Sequence, residues 1–430
     1  MEDVKKRKEI PQESTWALED LYEDLSKWQG DLEKVRKETQ KIQTYKGTLK
    51  ESAERLLEVL GLYSDMNLTF EKAYVYANQL LHQDMADASS QKCSGEVQVL
   101  MNQVNASAAF LEPEILRIPD EKWKEYLQDP RFGAYKRFLE EILRTREHSL
   151  SEEKEELLAR VGELGRAPSN IYGMFNNADI TFRPVVDEKG EEHPLTQERY
   201  VHYLENPDRQ IRKQAFEHLY DGYKGFVNTI AAIFDANVRQ AAFFAKERRY
   251  TSSLEAALDG GNIPVSVYTN LVRTVEEHLQ PMYRYLKLRK RLLGVDELHM
   301  YDVYVPMVEE VCMKFSFEEA KTMVKEGLSV LGEEYTRLLE KGFQERWIDI
   351  YENEGKRSGA YSWGAYGTHP YVLLNYQGNL NHVFTLAHEM GHALHSWYSD
   401  HNQNYLNAGY RIFVAEVAST CNEALLIHDL

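Results

Sequence analysis

Val383-Phe-Thr-Leu-Ala-His-Glu-Met-Gly-His-Ala-Leu394 sets two imidazoles, His388 and His392, four residues apart, with Glu389 directly after the first. In an α-helix positions i and i+4 lie one above the other, about one turn apart, so both rings can reach one metal ion. Glu389 falls beside them, where it can take a proton from a water without being a ligand. Val383, Leu386, Ala387, Met390 and Leu394 supply the apolar side that holds such a helix in a core. Gly391 costs about 1 kcal/mol relative to alanine inside a helix, which predicts a close neighbour at that point.

A catalytic zinc usually has three protein ligands and an open position, so a third donor is expected nearby. The residue types that qualify downstream are His395, Asp400, His401, Glu416, Glu423 and His428. A second helix, predicted from about Ile412 to the end, could fold back on the first. Glu416 and Glu423 are seven apart and share one face of it, and Ala415 and Ala418 allow close packing. Position favours Glu416 as ligand, but spacing alone leaves it level with an ordinary exposed glutamate. Glu423 fits a supporting role better. His395 is read as a packing residue or a support for the ligands, since a fourth protein ligand would close the site. His369, before Pro370, is read as a turn or packing residue ahead of a substrate contact.

Outward from this segment the chain reads as mainly α. Phe70, Ala73, Tyr74, Ala77, Leu80 and Leu81 recur at helical spacing, and Ile230, Ile233, Phe234, Val238 and Ala241 do the same. Asn206-Pro207 has the form of an N-cap and first-turn proline. Ile180-Thr-Phe-Arg-Pro-Val-Val186 with a Lys189-Gly190 turn predicts a short hairpin, and this change of texture places a domain boundary near residue 180. The expected division is an N-terminal helical lobe, 1–180, and a metal-bearing lobe, 181–430. Gly355, Gly359, Gly364 and Gly367 punctuate aromatics before Tyr371-Val-Leu-Leu-Asn-Tyr376, which predicts a small sheet beside the HExxH helix.

With 430 residues, 43% apolar and 28% charged, the composition is that of a folded soluble protein large enough for an enzyme. A net charge of −18 opposes binding to a phosphate backbone, so nucleic acid is excluded as the expected partner. Cys93, Cys312 and Cys421 form no CxxC pair, which argues against a disulfide framework and fits a reducing compartment. No stretch has the length of a membrane span, and the N-terminus lacks the apolar core of a secretory signal. The expected location is cytoplasmic, with no membrane partner.

Four stretches together resemble the M3 family of oligopeptidases, of the oligoendopeptidase F type: Gly359-Ala-Tyr-Ser-Trp-Gly-Ala-Tyr-Gly-Thr-His-Pro370, Val372-Leu-Leu-Asn375, Phe384-Thr-Leu-Ala-His-Glu-Met-Gly-His392 and Phe413-Val-Ala-Glu-Val-Ala-Ser-Thr420. Thr15-Trp-Ala-Leu-Glu-Asp-Leu-Tyr22 and Asp259-Gly-Gly-Asn-Ile-Pro264 extend the likeness over essentially the whole chain. The resemblance implies that Glu416 is the third ligand of one zinc ion per chain, beside His388 and His392. It also implies an elongated, two-lobed helical protein of zincin type, whose deep channel admits short unstructured peptides. The family continues past the third-ligand helix and draws substrate-binding His and Tyr residues from that later part. Those cannot be assigned in a sequence that stops at Leu430, so a missing C-terminal segment of the same enzyme is an expected partner.

The chemistry expected is hydrolysis of internal peptide bonds, with Glu389 as general base and then proton donor to the leaving amine. The Val372–Asn375 run either offers a strand edge to the peptide backbone or packs beneath the metal helix. Two rival functions remain at this level. A non-catalytic helical binding protein would bind no zinc or cleave nothing, and a helical zinc carboxypeptidase would trim only terminal residues.

Overall fold

Residues 5–307 and 314–430 are described by a computed structural model, and they are mainly helical. Cys312 lies outside the described residues. Packing divides the chain into two units: Met1–Arg146 with Cys312–Leu430, and Glu147–Val311. Residue 180, where the sequence texture changes, falls inside the second unit.

The first unit begins with helices α1 (Leu25–Gln43), α2 (Ala53–Gln83) and α3 (Ala88–Ala108), each entered through a side-chain cap: Asp24, Ser52 and Asp87 accept backbone N–H groups of the first turn. Phe70, Ala73 and Ala77 of the stripe read from sequence are buried on α2, with Tyr74 and Leu80 packed partly against the same core.

The second unit contains the expected hairpin. Strands β1 (Val185–Val186) and β2 (Glu192–His193) pair antiparallel, and Gly190 takes the positive φ of +79° that the turn demands. Helix α4 (Arg209–Lys224) starts two residues later than Asn206-Pro207 suggests, because the Asp208 carboxylate caps Gln210 N. Asn206 Oδ1 accepts from Asp208 N instead. Helix α5 (Val227–Glu247) carries the Ile230–Ala241 stripe, yet Phe234 and Val238 on it are exposed.

The chain then returns to the first unit with α6 (Phe317–Gly327) and α7 (Glu333–Gln344), followed by strands β3 (Ile348–Asp349), β4 (Tyr361–Ser362) and β5 (Val372–Leu373). The sheet order is β3-β5-β4, with β5 parallel to β3 and antiparallel to β4. Successive strand residues face opposite sides, and the apolar run around β5 uses both. Tyr371 and Leu373 join the core of the first helices, while Val372 and Leu374 join the core under the metal-motif helix. The sequence reading that gave this run a free edge is therefore corrected. Its packing alternative is what the fold contains, and the outer strands are β3 and β4.

Two long helices follow, α8 (Leu380–Asn402) and α9 (Ile412–Asp429), with the single turn Tyr405–Ala408 between them. They fold back on each other as expected. The N-terminal residues close onto the sheet: Asp349, fully buried, accepts from Arg7 Nη1 at 2.8 Å and from Lys356 Nζ at 2.7 Å.

Candidate metal centre

Helix α8 is started by Asn379, whose side chain accepts His382 N, so the motif lies two to three turns inside a well-formed helix. Val383, Leu386, Ala387, Met390 and Leu394 are completely buried, as the apolar stripe requires. Gly391 is where α9 crosses. A Cβ built there would stand 2.7 Å from Ser419 Cα and 3.0 Å from Ala418 O, so only glycine permits this approach. Asn422, buried in α9, donates to Ala387 O at 3.0 Å and accepts from Tyr335 Oη at 2.9 Å, which pins the crossing one residue before His388.

That crossing delivers Glu416 to the histidines. His388 Nε2 and His392 Nε2 are 3.1 Å apart, and Glu416 Oε2 is 3.5 Å from each. Donors about 2.1 Å from a common tetrahedral ion are separated by about 3.4 Å, so the triangle has the size a zinc-like cation needs. Ser419 Oγ donates to Glu416 Oε2 at 3.0 Å and orients the carboxylate. Burial, with the neighbouring His388, lowers the His392 pKa, favouring the neutral ring that can donate a lone pair.

Glu423, one helical stripe position on from Glu416, does not join the triangle. It accepts a short hydrogen bond from His388 Nδ1, which leaves the Nε2 lone pair turned toward the other donors. Glu389 is buried, and its Oε2 has no partner within the protein. Burial, followed by the charge of Glu416, pushes its pKa up to about 7 against the opposing pull of His388 and of the Ser362 N–H. A buried, unpartnered carboxylate oxygen beside three converging donors fits a site that receives a cation and a water.

The other candidates lie apart from this group. His395 stacks on Tyr410, with ring centroids 3.8 Å apart, and His401 stacks on Trp397 at the same distance. Asp400 is held protonated up to about pH 6 by burial, and His428 is exposed. His369 lies flat on Trp347, with Nδ1 2.7 Å from Pro370 O and Nε2 3.1 Å from Asp20, the packing role expected of it. A second group, Asp187, Glu191 and His193, also brings three such side chains together. There Asp187 Oδ1 accepts Lys189 N and Glu191 N, so the hairpin turn accounts for the group. Asn422 and Ser419 escaped the sequence reading; a polar side chain at a small-residue helix crossing is the signal that points to them.

The part of the chain that holds this geometry matches a known family. The profile described as "Peptidase family M3" matches residues 202–430, more than half of the chain, and that described as "Oligopeptidase F" matches 114–182. The chain belongs to peptidase family M3. This M3 chain is 42% identical over 421 residues to oligopeptidase PepF of Bacillus subtilis, covering 98% of itself and 63% of PepF. It is similar in structure to a crystal structure from Chlamydophila abortus described as a peptidase, with a TM-score of 0.91, 32% identity, and coverage of 99% of this chain and 72% of the other. Oligoendopeptidase-F from Enterococcus faecium aligns with a TM-score of 0.64 at 32% identity, over 94% and 67% of the two chains. The M3 chain thus spans less than two thirds of the length of PepF. M3 is a family of metallopeptidases, and His388, His392 and Glu416 form a group able to hold a metal ion. Among the described residues no helix is long and apolar enough to cross a membrane.

Proposed function

We propose that this chain carries the zinc centre of an oligoendopeptidase that hydrolyses internal bonds of short unstructured peptides. The observation that carries the reading is the triangle of His388, His392 and Glu416 beside the unpartnered carboxylate of Glu389. His388, His392 and Glu416 would hold one zinc ion, whose positive charge would acidify a water and polarise the scissile carbonyl. Glu389 accepts the proton of the water at Oε2 and passes it to the leaving amine nitrogen. Glu423 keeps His388 in the tautomer whose Nε2 is a donor of electrons.

Backbone recognition belongs to β4. Trp363 N is spent on Tyr371 O, so by strand alternation Ser362 turns its main-chain groups to the other side of β4, where its N–H meets Glu389 and its C=O remains for a peptide. An extended peptide can add there through main-chain hydrogen bonds, which makes binding tolerant of sequence.

The reading extends to location and partner. Among the described cysteines Cys93 and Cys421 are unpaired, which supports a cytoplasmic setting. The additional length of the relatives supplies a segment that positions substrate, and the exposed Ile412, Phe413, Val417 and Ile427 of α9 are surfaces for it to cover. Leu426, by contrast, is already buried against Gly327.

The test is elemental analysis after zinc loading, followed by mass analysis of products from a mixed peptide library with and without a chelator. One zinc per chain, lost in Glu416→Ala, and chelator-sensitive internal cuts are expected. Zinc-independent cleavage, or release of terminal residues alone, contradicts the reading. Turnover per bound zinc should rise strongly when the relatives' additional segment is supplied in trans.

A further inference from the structure

Beside the residues that lead into β4, Ser358 to Ala360, lies a cavity of about 380 Å³ to which the chemistry above assigns no role. His382 and Thr385 of α8 form part of its wall, and Glu389 follows on the same helical stripe at spacings of three and four residues. At 1.5 Å per residue, Thr385 is about 6 Å and His382 about 10 Å along the axis from Glu389. An extended peptide advances about 3.3 Å per residue, so the cavity stands two to three residues from the bond being cut. Ala360, which precedes β4, also lines it. A peptide pairing antiparallel with β4 would run its leaving-group side from Ser362 toward Ala360, and hence toward this cavity.

The charges around the cavity cancel. Lys356 lines it, but its side chain is fully buried and its three hydrogens are used by Asp349 Oδ1 at 2.7 Å, Asp349 O at 3.2 Å and Tyr351 O at 2.6 Å. The cations Arg7 and Lys356 are balanced by Asp349 and Glu352. Among the described residues no lysine or arginine closes an ion pair with Glu352, which accepts from Gln377 Nε2 at 3.5 Å. Glu352 therefore keeps acceptor capacity beyond its long contact with Gln377, and the cavity wall also offers a donor. The donor is His382: its Nδ1 accepts Gln377 N at 2.7 Å, which puts the hydrogen on Nε2, and burial keeps the ring neutral.

We propose that this cavity is a specificity pocket for an uncharged amide side chain, glutamine or asparagine, two or three residues to the leaving-group side of the scissile bond. The amide oxygen accepts from His382 and the amide nitrogen donates to Glu352. A charged head of either sign would upset a balanced site, and an aliphatic one would leave both groups unpaired. The inference rests on the peptidase reading of the metal centre.

The test measures equilibrium binding of labelled octapeptides to the zinc-loaded chain carrying Glu389→Gln, so that peptides are held without turnover. The peptides carry Gln, Glu, Lys or Leu at one position, each position being varied in turn. At one position Gln should bind about tenfold more tightly than the other three. Glu352→Leu, an exposed change, and His382→Ala should each remove that preference while leaving the Leu peptide unaffected. A preference for Lys or Glu at that position, or a Gln preference that survives both substitutions, overturns the pocket assignment. Binding without any dependence on position overturns it too and leaves the peptidase reading standing, whereas no binding of any octapeptide, even with the relatives' additional segment supplied in trans, overturns both.

Discussion

Glu423 accepts from the ring nitrogen of His388 that points away from Glu416, so two carboxylates on one face of α9 hold the two ends of a single imidazole. One end is tuned and the other is offered to a ligand. Replacing Glu423 by Gln keeps the shape but removes the charge that fixes the tautomer. Zinc affinity should fall by about 10- to 100-fold with the fold intact, measured by competition with a chelator of known strength. Unchanged affinity would remove Glu423 from the support of the site.

Glu389→Gln should retain zinc and lose turnover by about 10²- to 10⁴-fold, since the proton acceptor goes and the ligands stay. Turnover per bound zinc decides the matter. A variant close to the parent would mean that another group moves the proton.

Burial raises the Glu389 pKa from its ordinary 4.5 to about 7. In the unfolded chain the group ionises near 4.5, so the metal-free fold holds its proton more tightly and loses stability as pH climbs from about 4.5 through 7. Glu71 and Asp400 are raised for the same reason, up to about 7 and about 6. Comparison with Glu389→Gln cancels their contribution. Thermal midpoints of the two metal-free chains should therefore diverge between pH 5 and pH 7.5, the parent falling further, and parallel curves would contradict the prediction.

Gly391→Ala adds a methyl group facing the backbone of Ser419 and Ala418 rather than a movable side chain. The gain in helix propensity, about 1 kcal/mol, is outweighed by forcing α8 and α9 apart, an overpacking cost of about 1–3 kcal/mol. Because Glu416 reaches the histidines only through that crossing, zinc affinity should fall together with thermal stability. A stabilised variant with unaltered zinc binding would show that the contact relaxes freely.

How much of this was legible in the sequence varies with the kind of interaction. The helical repeat around His388 and His392, the glycine at a close crossing and the Lys189-Gly190 turn are local signals, and each appears in the fold. The choice between Glu416 and Glu423 is different. Seven residues bring a helix back to the same face, so periodicity cannot separate them; their height along α9 relative to His388 does. The strand around Val372 shows a third limit. An apolar run reads alike at the edge and in the middle of a sheet, and only the partners β3 and β4 distinguish them.

The bond between Arg7 and Asp349 joins residues 342 positions apart. A ribosome adding roughly 5–20 residues per second makes the second partner roughly 17–70 s after the first. The first-made helices must wait through that interval without the strands that complete their core, while the whole of Glu147–Val311 is synthesised in between. Birth order and folding order are thus decoupled: the middle of the chain can finish before its beginning, whose core stays open until the strands around Tyr371 and Leu373 are made.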